Sequence, residues 1–325
     1  MPLFTLRHDI PPVELAPGVA MSFKVIPPVA FQQAALATGQ PLSFMMGSRD
    51  GNADEGPRHR VIIPHPFYLG EFPVTQQEFA CFRKDHQNDF AGKPNHPVES
   101  VSWHDAQEFL RWLKETTNLP EEAVIRLPCE AEWEYACRAG TDTDYAKGDG
   151  EAVLTEMGWY SGNAGNTTHP VRTKKPNSWG LYHMHGNVWE WCEDVYDPKA
   201  YAKREHPWPA KAWSEINAGS YAKRDSYDGK PVRVLRGGSW GLPAVRCRAA
   251  FRNWRHPGNR FWNLGFRVFL ALPGPAGPED QSGGGAGREG AGGRDDRPGD
   301  RKAGAACPDE VTSGGALLPS EEGES

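Results

Sequence analysis

Two glutamates in the middle of the chain are candidates for acid–base chemistry. Glu132 and Glu134 stand two positions apart in a short segment of helical character. Paired carboxylates can act as general acid and general base when both face the same reacting group. On a helix, however, side chains two positions apart point to different faces. We therefore expect Glu132 to complete a helix N-terminus and Glu134 to form a structural ion pair; a catalytic pair is the alternative.

Two further pairs of side chains lie close together in the sequence and are candidate metal ligands. His183 and His185 form a His-x-His pair, which on a strand would put both imidazoles on one face. We expect these histidines to face solvent or to stabilise a loop; metal binding is the alternative. Asn187 and Glu190 bring two oxygen side chains together, and hard cations prefer oxygen ligands. The alternative is that Asn187 caps a turn and Glu190 pairs with an arginine.

Arginines recur towards the end of the patterned part of the chain. The whole chain has 36 Lys and Arg against 42 Asp and Glu, but residues 273–325 alone carry 11 acids and 5 bases. The first 272 residues therefore have no net charge, whereas a nucleic-acid binder needs a concentrated basic face. We expect the guanidinium groups to stack on tryptophans and to hold loop carbonyls, with no nucleic-acid partner. These arginines are Arg236, Arg248, Arg252, Arg260 and Arg267.

Helix and strand signals show which elements must position these residues. Thr75 and Glu78 form a capping box, and Ser102 is a second N-cap followed by apolar residues at helical spacing. A third helix is expected over 130–138, closed by Gly140. No amphipathic helix is expected after residue 140. Strand-like segments fall at 22–26, 29–31, 61–63, 67–69, 232–235 and 266–272.

These signals predict one α+β domain with little regular structure and two main helices. We divide the chain into an N-terminal extension (1–42), the domain (43–272) and a disordered acidic tail (273–325). The tail has no aromatic residue and holds 14 of the 36 glycines, so it cannot bury enough apolar surface to fold. No apolar run reaches the roughly 20 residues that span a bilayer. With no signal-peptide pattern at the N-terminus, we expect a cytoplasmic protein without a membrane partner.

Six ordered motifs carry a resemblance to a known family. They lie at 44–59 (Phe-Met-Met-Gly-Ser, then Asp-Glu-Gly-Pro-Arg-His), 73–75, 97–106, 126–136, 180–191 (ending Gly-Asn-Val-Trp-Glu-Trp) and 235–267 (Arg-Gly-Gly-Ser-Trp to Gly-Phe-Arg). Together they resemble the formylglycine-generating enzyme family, also called the sulfatase-modifying factor family. The resemblance implies a C-type-lectin-like fold. Family members usually carry Thr or Ser where Cys129 stands, so we expect this helix start to be about 1 kcal/mol weaker than with Thr.

The resemblance also implies metal sites and a pair of cysteines. The oxidase members convert a sulfatase cysteine to formylglycine with a Cu(I) ion held by two thiolates, ligands that suit a soft metal. Residues 241–246, where those cysteines are expected, contain none, so we expect no copper. The resemblance implies a structural calcium held by Asn187, the Val188 carbonyl and Glu190. It also implies that Cys137 and Cys247 lie close together, as thiols or as a disulfide.

A second use of this scaffold, besides oxidase chemistry, is ligand binding. Some family members resemble this chain in their last motif and are the variable proteins of diversity-generating retroelements. Aromatic residues at such positions act as rigid anchors for a protein or a small ligand. We therefore predict a ligand-binding protein without catalytic residues; a formylglycine-generating oxidase, and ordinary sequence drift at these positions, are the alternatives. The predicted surface consists of Trp240, Gly241, Leu242, Pro243, Val245, Arg246, Trp254, Arg255, His256, Gly258, Phe261, Trp262 and Asn263.

Overall fold

The computed structural model describes residues 4–203, 208–209, 226–227 and 230–273. Its α-helices are α1 (Val29–Thr38), α2 (Gln76–Phe82), α3 (Trp103–Thr116), α4 (Glu130–Arg138) and α5 (Glu151–Met157). Its strands are β1 (Val13–Ala16), β2 (Val19–Met21), β3 (Phe23–Ile26), β4 (Ser43–Met46), β5 (His59–Ile62), β6 (Phe67–Gly70), β7 (Val124–Arg126), β8 (Trp189–Val195), β9 (Trp208–Pro209), β10 (Ser226–Tyr227), β11 (Lys230–Pro231), β12 (Arg233–Arg236), β13 (Asn253–Arg255), β14 (Leu264–Gly265) and β15 (Phe269–Ala271). Three 3₁₀ turns lie at Ala53–Glu55, Tyr201–Lys203 and Ala244–Cys247.

In the described residues the strands form two four-stranded sheets, a three-stranded sheet and two two-stranded pairs, β1-β2 and β10-β11. One sheet has the order β3-β6-β15-β7, in which every pair is antiparallel. The second has the order β13-β12-β8-β14, and the third β4-β5-β9. Since β3 pairs with β6, the N-terminal extension supplies an edge strand to a sheet of the domain. The prediction of an α+β fold with short elements is confirmed.

Capping boxes begin α2 and α3 at the residues expected from sequence. At α2, Thr75 Oγ1 accepts from Glu78 N, and Glu78 Oε2 accepts from Thr75 N at 2.7 Å. At α3, Ser102 and Asp105 make the same reciprocal bonds. The apolar face of α3 is buried, which fixes this helix against the β3-β6-β15-β7 sheet through its aromatic and aliphatic side chains. These buried residues are Ala106, Phe109, Leu110 and Leu113.

The predicted third helix, α4, has the expected bounds but a different end. Its last position is followed by Ala139, which adopts the left-handed conformation (φ 48°) and donates its N–H to Tyr135 O at 3.2 Å. Gly140 follows, also at positive φ (89°). The cap is thus an alanine rather than the expected glycine. Every residue of α4 is buried, so the packing around the helix compensates for the conformational cost at Ala139.

Three sequence expectations were wrong or fall elsewhere. Residues 29–31 begin the helix α1 instead of a strand, because Pro28 precedes a run of good helix formers. The short helix α5 stands beyond residue 140, where none was expected; it buries only Leu154 and Met157, too few for a visible periodicity. The predicted tail lies outside the described residues, apart from Pro273. No helix in the described part of the chain is long and apolar enough to cross a membrane.

Candidate binding surface

The segment that follows β12 rests on a buried arginine. Arg236 is fully buried and donates to the Glu134 carboxylate. It also donates to the carbonyls of Ala249 at 2.8 Å and of Ala250 and Phe251 at 2.9 Å. One side chain therefore fixes the backbone of three consecutive residues. We use the name floor for Arg236 with Glu134 and for three other buried ion pairs. These pairs are Glu55–Arg248, Glu130–Arg252 and Glu190–Arg267.

A glycine pair then turns the chain towards solvent. Gly237 and Gly238 both have positive φ (98° and 73°), a conformation that glycine adopts without strain. Space matters as much as conformation: a Cβ on Gly238 would stand 2.5 Å from Cys247 Sγ. The Gly-Gly pair is therefore required for the turn to pack on the following segment.

An aromatic cluster lies immediately after this turn. The rings of Trp240 and Trp262 are 4.6 Å apart, and Phe90 meets Trp240 edge-on at 5.4 Å. A Cβ on Gly241 would lie 3.3 Å from the Trp262 ring, so Gly241 leaves room for that ring. Asn263 Nδ2 donates to Ser239 Oγ at 3.1 Å and holds the far end of the segment to its beginning.

Two aromatic side chains of this cluster region face solvent. Phe261 is 39% exposed and Trp262 is 42% exposed, whereas Trp240 is only 8% exposed. The Arg255 guanidinium lies 5.6 Å from the centre of the Phe261 ring. The Phe261 carbonyl accepts from Ser100 N at 3.0 Å. The backbone is therefore anchored while the rings remain available, and we call these exposed side chains the rim.

The remaining residues of the predicted surface are more dispersed. Val245 is 55% exposed and lines a separate polar cleft of about 600 Å³ together with Arg138 and Arg248. Its neighbour Arg246 is exposed on the same 3₁₀ turn. Trp254 is half-buried on β13, with its ring 6.1 Å from that of Tyr196. The structure thus divides the predicted residues between the aromatic cluster and the cleft.

Four other predicted residues serve mainly to shape the backbone. The Leu242 carbonyl accepts from Ser161 N at 2.9 Å, and Pro243 precedes the 3₁₀ turn. His256 Nδ1 accepts from Gly258 N at 3.2 Å within a turn. That these residues bind a ligand stays a prediction.

Comparison with known proteins now places the chain. A family model described as the sulfatase-modifying factor enzyme 1-like domain matches residues 32–272. The chain belongs to this family. Its fold is the formylglycine-generating-enzyme-like variant of the C-type-lectin fold, as the resemblance of its motifs implied.

Proteins to which this chain is similar are described with different functions. The formylglycine-generating enzyme of Streptomyces coelicolor is 37% identical over 199 residues, which cover 56% of this chain and 54% of that protein. The serine/threonine-protein kinase pkn1 of Chlamydia caviae is 32% identical over 251 residues, or 69% of this chain and 36% of that protein. The chain therefore spans about half or less of these curated relatives. Among solved structures, Treponema denticola variable protein 1 matches with a TM-score of 0.62 and 27% identity, covering 78% of this chain and 96% of that one.

The family's copper chemistry does not fit the residues present. Residues 241–246 contain no cysteine. All five cysteines that the structure describes are free, and four of them are buried. Burial raises the pKa of the Cys247 thiol to about 12 and raises that of Cys137 further. Among the described residues, no group of three or more His, Cys, Asp or Glu is arranged to hold a metal ion.

A histidine lies between the two cysteines that the family resemblance pairs. His185 Nδ1 hydrogen-bonds the Cys247 carbonyl at 2.8 Å, and His185 Nε2 accepts from Ala146 N at 3.1 Å. Cys137 Sγ lies 3.6 Å from His185 Nε2. Cys137 therefore contacts His185 through its thiol and Cys247 through its backbone carbonyl, and the closeness of the two sulfurs stays a prediction. His185 stabilises loops, as expected, and burial lowers its pKa to about 4.

His183 has a different environment from its neighbour. Both histidines of the pair are 1% exposed, so neither faces solvent, and the expected loop-stabilising role is observed for His185. Neither ring nitrogen of His183 has a hydrogen-bond partner among the described residues. Burial, with a smaller contribution from the charge of Arg267, lowers its pKa to about 3. His183 is therefore a neutral core residue.

The predicted calcium ligands already have protein partners. Glu190 accepts from Arg267 Nε and Nη2 at 2.6 and 2.7 Å, and from Trp133 Nε1 at 2.7 Å. Asn187, at φ 70°, accepts from His169 N at 3.0 Å and donates to His169 O at 2.9 Å. This arrangement matches the alternative interpretation, in which Asn187 caps a turn and Glu190 pairs with an arginine. Calcium binding by these two residues and the Val188 carbonyl stays a prediction.

The two central glutamates have the structural roles expected from their spacing. Glu132 Oε2 accepts from Cys129 N at 2.8 Å, and both its oxygens receive hydrogen bonds from Arg126. Glu134 is fully buried between Arg138 and Arg236. Burial alone would raise the pKa of Glu134, but the two arginines lower it below its ordinary value. The carboxylates point to different partners and do not form a catalytic pair.

Several residues of the floor had no role assigned from sequence. The Glu55 carboxylate accepts hydrogen bonds from both terminal nitrogens of Arg248, at 2.7 and 2.9 Å. Glu130 accepts from Arg252 Nε at 2.7 Å and Nη2 at 3.0 Å. Their motifs were recognised as family signatures, but the pairs join positions more than a hundred residues apart. The sequence signal that could have suggested these ion pairs is the presence of charged residues without a local partner within the motifs.

Proposed function

We propose that this protein is a ligand-binding member of the sulfatase-modifying factor family that lacks oxidase activity. Its binding site is the rim after the Gly-Gly turn, and its ligand is a protein or a small molecule. The observation that carries the proposal is that Phe261 and Trp262 are both exposed, while hydrogen bonds of Ser100 and Asn263 hold their backbone in place. Exposed rings on a rigid backbone lose little conformational entropy on binding.

The comparisons support this proposal in two ways. The solved variable protein of Treponema denticola aligns over almost its whole length, which suits a binding protein of the retroelement-diversified kind. The thiol pair expected in the oxidases has no counterpart in residues 241–246. The free thiols accord with a reducing compartment, and we place the protein in the cytoplasm.

Selection of peptides against the full chain tests the binding proposal. A random peptide library is panned on the purified protein, and each recovered peptide is measured against the Phe261→Ala/Trp262→Ala double variant. We expect a loss of at least about tenfold in affinity, since hot-spot aromatics contribute about 2 kcal/mol or more each. The matched control is Val124→Ala, which removes a 49% exposed side chain from β7. Recovered peptides that bind the double variant and the parent equally would reject the rim as the site.

An oxidase assay separates the alternative function from the proposed one. The purified protein is incubated with Cu(I), oxygen and a cysteine-containing sulfatase peptide, and aldehyde is measured by mass spectrometry. We expect none. Aldehyde in amounts above a protein-free control would overturn the proposal. In the genome, a neighbouring reverse transcriptase with a near-copy of codons 240–267 would support diversification of the rim.

A further inference from the structure

A second pocket, separate from the rim, is walled by aromatic rings. It has a volume of about 350 Å³ and none of its lining residues belongs to 240–263. Four aromatic side chains line it: Phe31 from α1, Phe44 from β4, Tyr135 from α4 and Trp179 from a loop. Phe31 is 47% exposed. The pocket therefore has apolar walls and an opening to solvent.

The rings stand as walls and do not form a flat stack. Trp179 meets Phe31 at 5.5 Å with an angle of 70° between the planes, and meets Tyr135 at 4.8 Å and 71°. Phe44 and Tyr135 are 5.3 Å apart at 47°. Aromatic rings that converge on one space from different directions attract organic cations through the negative potential of their faces.

The charged side chains that line the pocket are already paired, so its ring walls decide its preference, which is for a cation without a large hydration shell. Asp142 lines the pocket, is 65% exposed and pairs with Arg58. Arg138 also lines it, but its charge is balanced by Glu134 at 2.8 Å and its Nη2 donates to Gly47 O at 2.9 Å. An ammonium with hydrogens would need acceptors that the ring walls do not provide, whereas a methylated ammonium would not.

The indole N–H of Trp179 needs a hydrogen-bond acceptor. Trp179 is 4% exposed, and its Nε1 has no hydrogen-bond acceptor among the described residues. A buried N–H without a partner destabilises the protein by about 1–3 kcal/mol. A ligand oxygen that reached this atom would supply the missing acceptor. Choline and glycine betaine each carry an oxygen three bonds from the quaternary nitrogen.

We propose that this pocket binds a quaternary ammonium group. The rings of Phe31, Phe44, Tyr135 and Trp179 surround the methyl groups, and Asp142, which also pairs with Arg58, lies at the opening. The group can belong to a free compound such as choline or glycine betaine, or to a trimethylated lysine. The site does not depend on the function proposed for the rim.

Titration calorimetry with four named probes tests the charge requirement. Choline, glycine betaine and N-acetyl-trimethyl-lysine are compared with dimethylbutanol, the uncharged carbon isostere of choline. We expect at least one cation to bind with millimolar or better affinity, and dimethylbutanol to bind at least about fivefold more weakly than choline, as a cation–π contribution of 1 kcal/mol or more requires. The preferred cation then distinguishes a free metabolite from a modified protein.

Three outcomes would overturn the proposal. They are no binding by any of the cations, equal binding of choline and its isostere, and unchanged binding in the variants that follow. Phe31→Leu keeps the bulk but removes the π face and should weaken cation binding at least about threefold, whereas Phe31→Tyr should retain it. Val124→Ala, on β7 and outside both the pocket and the rim, is the control and should not change it. Unfolding midpoints of all variants establish that they are folded.

Discussion

The floor and the rim of the C-terminal segment differ in what holds them. In the floor, Arg236 and Arg267 are fully buried and each is paired with a carboxylate and with backbone carbonyls. In the rim, Phe261 and Trp262 project to solvent, and only their backbones are hydrogen-bonded to the rest of the fold. The position of the loop is thus set by residues outside the rim, which leaves the rim side chains free to differ without loss of the fold.

Breaking the floor should give the largest effect. Arg236→Met removes one of the two arginine partners of the buried Glu134 carboxylate and three hydrogen bonds to the loop carbonyls. We expect a loss of about 3–5 kcal/mol in the free energy of unfolding, typical of a buried ion pair that loses one member. Urea denaturation followed by tryptophan fluorescence measures it. A loss below about 1 kcal/mol would show that the floor does not hold the loop.

A buried carboxylate outside the floor sharpens the comparison. Burial raises the pKa of Glu78 to about 7, and its hydrogen bonds from Thr75 offset this only partly. Because the folded-state pKa lies above the ordinary value of 4.5, the protonated form contributes stability at low pH that is lost as pH rises through about 7. The parent should lose on the order of 3 kcal/mol relative to Glu78→Gln between about pH 5 and about pH 9.

The measurement for Glu78 is urea denaturation of both proteins across that pH range. Glu134 is the comparison within the same protein. It is also a buried carboxylate, but its arginine partners keep it ionised, so it should not contribute to the change in stability over this pH range. Parallel pH profiles of the parent and the Glu78→Gln variant would contradict the assignment.

The start of α4 provides a test of intermediate size. In α2 and α3 the capping hydroxyl also donates to the carboxylate of its box, from Thr75 at 2.8 Å and from Ser102 at 2.6 Å. Cys129 occupies the same position in α4 with a thiol. We expect Cys129→Ser to stabilise the protein by about 1 kcal/mol, because a hydroxyl is the better cap. Thermal unfolding checks this, and a lower midpoint than that of the parent would be the contrary result.

Changes in the rim should cost little. Phe261→Ala removes a rim side chain that is 39% exposed, and Val245→Ala, in the separate polar cleft, removes one that is 55% exposed. Each should change the free energy of unfolding by no more than about 1 kcal/mol. Chemical denaturation of each single variant gives the value. Losses comparable to that of Arg236→Met would remove the distinction between floor and rim.

Removal of divalent cations should have no effect on the melting temperature. Since Glu190 and Asn187 already have protein partners, removing divalent cations with a chelator should leave the melting temperature unchanged. Any cation held only by the folded protein would raise its stability in proportion to occupancy. A fall in melting temperature on chelation, reversed by added calcium, would instead confirm the calcium site that the family resemblance implies.

The elements predicted correctly are those coded by neighbouring residues. Thr75 with Glu78 and Ser102 with Asp105 are local signals, and both helices begin where expected. The ion pairs of the floor, such as Glu55 with Arg248, join residues far apart in the chain, and no local pattern specifies which arginine meets which glutamate. The helix α1 was missed because its apolar residues show no clear amphipathic spacing. The aromatic pocket was missed for the same reason as the ion pairs, since its four rings come from four separate segments.

The pairing of β3 with β6 bears on how this protein should be produced. A fragment trimmed to the boundary suggested by sequence, at residue 43, would lack Phe23–Ile26 and leave the backbone of Phe67–Gly70 without its neighbour. Exposed strand edges recruit other chains. Such a fragment would precipitate or self-associate, and would also have lost one wall of the aromatic pocket together with Phe31. Expression should therefore start well upstream of the first recognisable family motif.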